Sequence, residues 1–293
     1  MIKQHAVWMQ GDRIGVLLIH GLTGTPSEMR GVARDFNNAG HTVFTVQLAG
    51  HCGTSDDLIQ TGWLDWYQSV VEGASRLRKQ VDYLFVGGLS MGAVLALKYA
   101  AEHPVDGVLV YGATFYTDGW SIPRLSQLLS ACLPMATRLG LGRHLIFNET
   151  EPYGIRNEAL RRRIAATMHS GDSAAAGLPG TPCPSLSQMI QLSRDVRRHL
   201  WKVIAPCLVL HAAEDDIAHS RNAFLVRDNV SGPVDMALLK NSYHMITIDN
   251  DRPELIARSL RFIEVNTRID PAPPLDALRP QPDNLPLHHR TSS

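Results

Sequence analysis

The sequence predicts an α/β protein in which a mostly parallel sheet is flanked by helices and interrupted by a helical insertion. Two observations carry this prediction. Short apolar runs alternate with helical patterns over the first part of the chain, and apolar strands resume from Cys207 onward. Between about Phe115 and Val203, by contrast, the sequence has helical patterns and no convincing strand. Strands that are apolar on both faces and separated by helices are typical of a parallel sheet covered on both sides.

The segment before the insertion contains predicted strands and helices in alternation. The strands are expected at Ile14 to His20, Thr42 to Leu48, Tyr83 to Gly87 and Val105 to Tyr111. The helices are expected at Ser27 to Ala39, Trp63 to Lys79 and Met91 to Glu102. Gly40 directly follows the first of these helices and is a typical helix stop, because glycine readily adopts the left-handed conformation found there.

The middle of the chain predicts a helical cap over the sheet. Its helices are expected at Ile122 to Leu139, Ile155 to His169 and Leu186 to Trp201, with a glycine- and proline-rich loop between the last two. The sheet then continues at Cys207 to His211 and Val234 to Leu239, and a final helix is expected at Arg252 to Glu264. We therefore divide the chain into a core (residues 1–114 and 204–268), a cap (residues 115–203) and a tail (residues 269–293).

The tail carries six prolines among polar residues and is expected to be disordered. It also contains His288 and His289, a pair that does not by itself indicate a metal site.

Composition excludes several classes of function. Apolar residues make up 44% of the 293 residues, and the formal net charge is zero, whereas a nucleic-acid-binding protein is expected to show a basic excess or stripe. The four cysteines are too few and too scattered for a disulfide framework, which favours reduced thiols. The N-terminus lacks an apolar signal region, and no apolar run approaches the ~20 residues of a spanning helix. A cytoplasmic protein is therefore expected.

The segment Gly88-Leu89-Ser90-Met91-Gly92 matches the pattern G-x-S-x-G and makes Ser90 the candidate nucleophile. The motif alone is weak, but a predicted strand precedes it and a predicted helix follows it, which is the context that the motif requires. So tight a turn needs glycines beside the serine, because side chains there would collide with the strand and the helix. The alternative is a serine that only caps the helix.

A serine hydroxyl becomes a nucleophile when a histidine, oriented by a carboxylate, takes its proton. Where a strand–turn–helix carries the serine, as in the α/β-hydrolase fold, the order along the chain is serine, acid, histidine. The loop that follows the strand at Cys207 contains Glu214, Asp215 and Asp216. Its position favours Asp215 as the acid, and at least two of the three carboxylates are expected to belong to a solvated loop.

The next predicted strand leads to His244, just before the final helix, which makes His244 the candidate base. His211 and His219 lie too close in sequence to the acid to suit this geometry and are expected to be structural.

The tetrahedral intermediate of acyl transfer needs two N–H donors for its oxyanion. The amide of Met91, directly after the nucleophile, is expected to supply one. The loop after the first long strand is expected to supply the other, through the amide of Leu22. His20, at the start of that loop, is interpreted as a bracing residue.

Several segments resemble the bacterial monoacylglycerol lipases and their close carboxylesterase relatives, namely HGLTGTPSEMR, GGLSMG, AAEDD and KNSYHMITIDNDRPELIARSLRFI. The resemblance covers Ile14 to about Tyr111 and Cys207 to Glu264. It implies an α/β-hydrolase fold with a cap, no cofactor, and hydrolysis of medium-size acyl esters such as monoglycerides. By position it implies Ser90 as nucleophile, Asp215 as acid and His244 as base, with Leu22 and Met91 as oxyanion donors.

The sequence departs from that family in two places. Cys52 stands where relatives often have glycine, so the loop around it is expected to differ in shape. The cap is longer than in the small lipases and contains the arginine groups 161–163 and 197–198.

Two other functions compete with an esterase or lipase. The cap arginines could hold the phosphates of a coenzyme A carrier, which would favour an acyl-thioesterase, although clustered arginines are more often a solvated face. A non-catalytic binding protein would usually have lost the serine, the histidine or the flanking glycines, and all of them are present.

Overall fold

The computed structural model describes residues 4–169, 173 and 177–267. Its strands are β1 (Val7–Met9), β2 (Ile14–Ile19), β3 (Thr42–Val46), β4 (Tyr83–Leu89), β5 (Gly107–Tyr111), β6 (Ile146–Asn148), β7 (Gly180–Pro182), β8 (Cys207–Ala212) and β9 (Val234–Leu239). The main sheet has the order β1-β3-β2-β4-β5-β8-β9. Within it β1 runs antiparallel to β3, and every other neighbouring pair is parallel.

The helices of the described residues are α1 (Arg30–Asn38), α2 (Ser55–Ile59), α3 (Trp63–Arg78), α4 (Met91–Glu102), α5 (Arg124–Ser130), α6 (Leu133–Arg138), α7 (Glu158–His169), α8 (Cys183–His199), α9 (Arg221–Asn229) and α10 (Arg252–Thr267). A mostly parallel sheet with helices against it confirms the predicted fold class. No helix in these ranges combines the length and the apolar character needed to span a bilayer.

The sheet separates two apolar clusters, which explains why its strands are apolar on both faces. Leu17 and Ile19 of β2 belong to the cluster that includes residues of α3, α4 and α8. Val16 and Leu18 of the same strand belong to the cluster that includes residues of α1 and α10. Side chains alternate between the faces of a strand, so burial on both sides requires a continuous apolar run.

The insertion between β5 and β8 differs from its prediction in detail. The helix expected at 122–139 is two shorter helices, α5 and α6, and Pro134 lies in the first turn of α6. Proline is tolerated there but would remove a hydrogen bond from a continuous helix, which explains the break. The strands β6 and β7 pair antiparallel with each other and were not predicted, because three residues are too few to show a period.

Three further elements were not predicted, two of them because they are short. The strand β1 has only three residues, and α2 has five. The nine-residue helix α9 follows the acidic loop and was not predicted either. The predicted tail, residues 269–293, lies outside the described residues.

Candidate active site

Ser90 lies in the turn between β4 and α4 and has a left-handed backbone, with φ of 58° and ψ of −119°. The neighbouring glycines leave no room for side chains. A Cβ on Gly88 would lie 2.5 Å from the carbonyl carbon of Gly92, and a Cβ on Gly92 would lie 2.2 Å from the carbonyl oxygen of Ile19. The predicted reason for both glycines therefore holds in the structure, since each faces backbone that cannot move aside.

The hydroxyl of Ser90 is hydrogen-bonded to a neighbour that sequence reasoning did not identify. Ser90 Oγ lies 3.1 Å from Thr114 Oγ1, and Thr114 in turn donates to the carbonyl of Gly112 at 3.0 Å. Because Thr114 has a single proton to donate, its hydroxyl accepts from Ser90. Among the described residues, no hydrogen bond joins Ser90 to His244, so the hydroxyl of Ser90 must leave Thr114 before the predicted base could take its proton.

Asp215 and His244 form a buried pair. His244 Nδ1 lies 2.8 Å from Asp215 Oδ2, and the two residues are 5% and 3% exposed. Asp215 follows the carboxyl end of β8, and its other oxygen accepts the backbone N–H groups of Ile217 and Ala218 at 2.9 and 2.7 Å. The backbone of its own loop thus holds the carboxylate of Asp215 in place, and that carboxylate orients the ring of His244.

The electrostatic surroundings strengthen this pair. Burial opposes the charged form of His244, but the negative charges of Asp215, Asp216 and Glu28 outweigh burial and raise the pKa of His244 above 6.5. Burial likewise opposes ionisation of Asp215, yet its interactions with His244 lower its pKa. Asp215 is therefore the anion, which is the form that orients the histidine and stabilises the imidazolium.

His211, which the sequence predicts to be structural, lies beside the acid. Its Nε2 is 3.3 Å from Asp215 Oδ2 and 2.7 Å from the carbonyl oxygen of Ala218. Burial lowers the pKa of His211, so the ring is neutral and donates its Nε2–H to the carbonyl oxygen of Ala218. This hydrogen bond helps to hold the acid loop, as a structural residue would.

The three acidic residues of this loop have different environments. Glu214 is exposed and pairs with Arg156 at 3.0 Å, as a solvated residue would. Asp216 is fully buried, and its carboxylate accepts backbone N–H groups from His244 and Gly154. The expectation that at least two of the three are solvated is therefore wrong, because burial of Asp216 satisfies backbone donors that a solvated carboxylate would leave unpaired.

The loop expected to supply an oxyanion donor lies beside Ser90. A Cβ on Gly21 would be 3.5 Å from Ser90 Cβ, and Leu22 follows directly. Among the described residues, neither the Leu22 amide nor the Met91 amide has a hydrogen-bond acceptor. Both donors are therefore available for a ligand, and Met91 is the first residue of α4, where the helix dipole favours negative charge.

The rings of His20 and His51 lie at the base of that loop. His20 Nε2 accepts the N–H of Leu48 at 3.3 Å, and its ring centroid is 4.9 Å from that of His51. Burial lowers the pKa of His51 to about 4 and that of His20 well below its ordinary value. Both rings stay neutral near neutral pH, and His20 joins the loops that follow β2 and β3.

Sequence reasoning missed Thr114 and Asp216, which share only their position after the end of a strand. Thr114 follows β5 and Asp216 follows β8, so both lie at the carboxyl end of a parallel strand, where α/β folds build their sites. That position alone does not distinguish them from other polar residues in the same loops.

Comparisons with known proteins agree with this geometry. Residues 12–251 match the family Hydrolase_4, described as serine aminopeptidase, S33. The thermostable monoacylglycerol lipase of Bacillus sp. (strain H-257) is 31% identical over 257 residues, which cover 87% of this chain and 92% of that protein. The carboxylesterase of Bacillus subtilis (strain 168) is 24% identical over 258 residues, which cover 87% and 93% of the two chains.

The solved structures give the same result. One from work on LipS and LipT, two metagenome-derived lipolytic enzymes, superposes with a TM-score of 0.74 at 28% identity and covers 89% of this chain and 97% of that one. A seven-stranded sheet, a strained serine elbow and a family match over most of the length all lead to one assignment. The chain therefore belongs to the Hydrolase_4 (serine aminopeptidase, S33) family of α/β-hydrolases.

Proposed function

We propose that this protein is a serine carboxylesterase or lipase that hydrolyses short- to medium-chain acyl esters of the monoacylglycerol type through an acyl-enzyme. The observation that carries the proposal is the placement of a strained nucleophile elbow and a buried Asp215–His244 pair at the carboxyl edge of one sheet. Lipase and carboxylesterase relatives that align over most of the chain support an ester as substrate. The mechanism requires no cofactor.

In the first half of the reaction, His244 takes the proton of Ser90 Oγ through its free ring nitrogen, Nε2. The oxygen attacks the ester carbon, and the amides of Leu22 and Met91 stabilise the oxyanion that forms on the carbonyl oxygen. The protonated His244 then gives its proton to the alcohol oxygen as the ester bond breaks. The alcohol leaves, and the acyl group stays on Ser90.

Water completes the second half by the same route. His244 takes a proton from water, and the hydroxide attacks the acyl carbon while the two amides again stabilise the oxyanion. The proton returns to Ser90 as the acyl–oxygen bond breaks, and a carboxylic acid is released. Asp215 orients His244 and stabilises its charged form throughout.

The insertion, residues 115–203, acts as the cap in this proposal. Its backbone approaches the site at Gly154, where a Cβ would lie 3.2 Å from His244 Cβ. We also propose that the protein works in the cytoplasm on small ester molecules, without nucleic acid as a partner.

The decisive experiment uses p-nitrophenyl esters of increasing chain length with the wild type and Ser90→Ala. We expect wild-type hydrolysis with an optimum chain length, and a loss on the order of 10⁴- to 10⁶-fold in turnover for the variant. The optimum reports the depth of the acyl pocket. Equal inertness of both proteins on every ester would refute the esterase proposal.

The pH dependence tests the assignment of His244. Only the neutral ring can act as base, so kcat/KM should fall as pH decreases through the pKa of His244. Because its acidic neighbours raise that pKa, the midpoint is expected above 6.5. A profile of kcat/KM on a soluble ester measures this, and a rate that stays flat into the acid range would contradict the assignment.

An acyl-thioesterase remains the alternative within the same chemistry. Arg162, Arg163 and Arg198 are exposed, as a phosphate-binding surface would be. The guanidinium group of Arg197, in contrast, packs on the ring of Tyr116, with its central carbon 4.6 Å from the ring centroid. Comparing an acyl-coenzyme A with the glycerol ester of the same acid separates the two functions, and a faster thioester rate would favour the alternative.

A further inference from the structure

Asp216 is a fully buried carboxylate next to the catalytic acid, and the proposed mechanism does not use it. Its Oδ1 accepts the backbone N–H of His244 at 3.2 Å, and its Oδ2 accepts the backbone N–H of Gly154 at 3.0 Å. One side chain thus joins the catalytic histidine to the insertion. Asp215 is hydrogen-bonded to the ring of the same histidine. Two adjacent carboxylates therefore bind His244, one at its ring and the other at its backbone.

Gly154 is hydrogen-bonded both to the acid loop after β8 and to the loop between β9 and α10 that carries His244, which we call the histidine loop. Its carbonyl accepts the N–H of Met245 at 2.8 Å, while its own N–H is donated to Asp216. Its φ is +72°, and a Cβ there would lie 2.8 Å from Met245 Cγ and 3.2 Å from His244 Cβ. The backbone of the insertion therefore contacts the histidine loop at a point where any residue other than glycine would displace neighbouring atoms.

A second buried carboxylate strengthens this connection. Asp249 accepts the N–H groups of Arg156 at 2.6 Å and Tyr243 at 3.0 Å through one oxygen. Arg156 belongs to the insertion, and Tyr243 precedes His244. The beginning of the insertion is attached as well, since the carbonyl of Asp216 accepts the N–H of Ser121 at 3.0 Å.

We propose that Asp216 is a positioning residue for catalysis, which fixes the backbone of His244 and makes its position depend on the placement of Gly154. The proposal rests on the proposed function only in taking His244 as the catalytic base. A shift of the insertion at Gly154 would then move the base relative to Ser90.

Asp216 also acts on His244 through its charge. The titratable groups that act on His244 are Asp215, Asp216, Glu28, Glu149 and His211. Burial raises the pKa of Asp216, and its negative charge raises that of His244. Removing this charge should therefore lower the pKa of His244, an effect that loss of packing alone would not produce.

The first test is Asp216→Asn, with kcat and KM measured on a soluble p-nitrophenyl ester across pH. We expect kcat to fall by up to about 10²-fold, as small misplacements of catalytic groups do, with little change in KM. The acid limb of the kcat/KM profile should move to lower pH. Wild-type kcat together with an unmoved acid limb would overturn the proposal.

Gly154→Ala separates position from charge. The added methyl group should displace the histidine loop and lower kcat, while the acid limb stays where it is in the wild type. Gly140→Ala is the matched control, because Gly140 also has a positive φ (+80°) but nothing lies within 4 Å of its Cβ position. An equal effect of both alanines on kcat would refute a specific role for Gly154.

A readout without turnover keeps this test independent of the proposed function. The ring of His244 can be titrated by NMR in the wild type and in Asp216→Asn, and the variant should show the lower pKa. If no ester is hydrolysed but this shift is found, the esterase proposal fails and the coupling to Asp216 stands. An unchanged His244 titration in a folded variant would remove the proposed coupling whatever the substrate is.

Discussion

The insertion has two parts that differ in how they meet the rest of the molecule. We define the outer arm as residues 124–148 and the inner arm as residues 151–169 with 177–203. In the outer arm, α5 and α6 have no buried residue, and Leu128 and Leu139 are 74% and 70% exposed. In the inner arm, Leu192 and Val196 of α8 are 0% and 1% exposed and belong to the main apolar cluster.

The polar contacts follow the same division. The start of the inner arm donates backbone N–H groups to the buried carboxylates Asp216 and Asp249. The outer arm is joined to α8 by the hydroxyls of Thr137 and Ser187 at 2.8 Å and by a bond from Arg194 to the carbonyl of Ala131 at 2.6 Å. The two arms therefore show that an amphipathic pattern predicts an apolar face on a helix. Whether that face is buried depends on whether the helix is attached to the core.

The largest expected effect is that of Leu192→Ala in the inner arm. This side chain is fully buried against the core, so its truncation leaves a cavity and should lower the free energy of unfolding by about 2–5 kcal/mol. Denaturant unfolding followed by circular dichroism measures the change. A loss below about 0.5 kcal/mol would show that α8 does not pack on the core as described.

A smaller loss is expected for Asp249→Asn. The carboxylate accepts backbone N–H groups from both the inner arm and the histidine loop, and an amide would turn a donor toward some of them. One unsatisfied buried group costs about 1–3 kcal/mol in unfolding free energy. Asp228→Asn is the control, since that carboxylate pairs with Arg227 at the surface. Equal stability of both variants would contradict a structural link through Asp249.

The smallest effect is expected for Leu128→Ala in the outer arm. Its side chain is 74% exposed, so its removal should change the free energy of unfolding by less than about 0.5 kcal/mol. The same unfolding experiment serves here, with Leu192→Ala as the matched comparison. Similar losses at the two leucines would mean that the arms are equally packed, and the distinction between them would be wrong.

Much of the fold could be predicted because burial on both faces leaves a clear mark in the sequence. The runs that became β2, β3, β4, β5 and β8 are continuous and apolar, and helices separate them. Elements of three to five residues, such as β1, β6 and α2, carry too little pattern to be recognised. The break between α5 and α6 was missed because the apolar positions continue across it.

The candidate site divides along similar lines. Ser90 could be predicted from its motif, and Asp215 and His244 from their places after strands and their order along the chain. In the structure Asp215 and His244 are joined by a hydrogen bond. Their roles in catalysis stay predictions until they are measured. The burial of Asp216 could not be predicted, because a buried carboxylate and a solvated one look alike in a sequence until the backbone donors around them are known.

The left-handed backbone of Ser90 has a consequence for the engineering of this protein. A residue with a side chain in such a conformation costs on the order of 1–3 kcal/mol of stability, a cost that glycine largely avoids. At this position, selection for heat resistance alone would favour glycine and eliminate the hydroxyl of the proposed nucleophile. Stability and turnover therefore select for different residues at position 90, and a more heat-resistant enzyme should be sought through changes elsewhere in the chain.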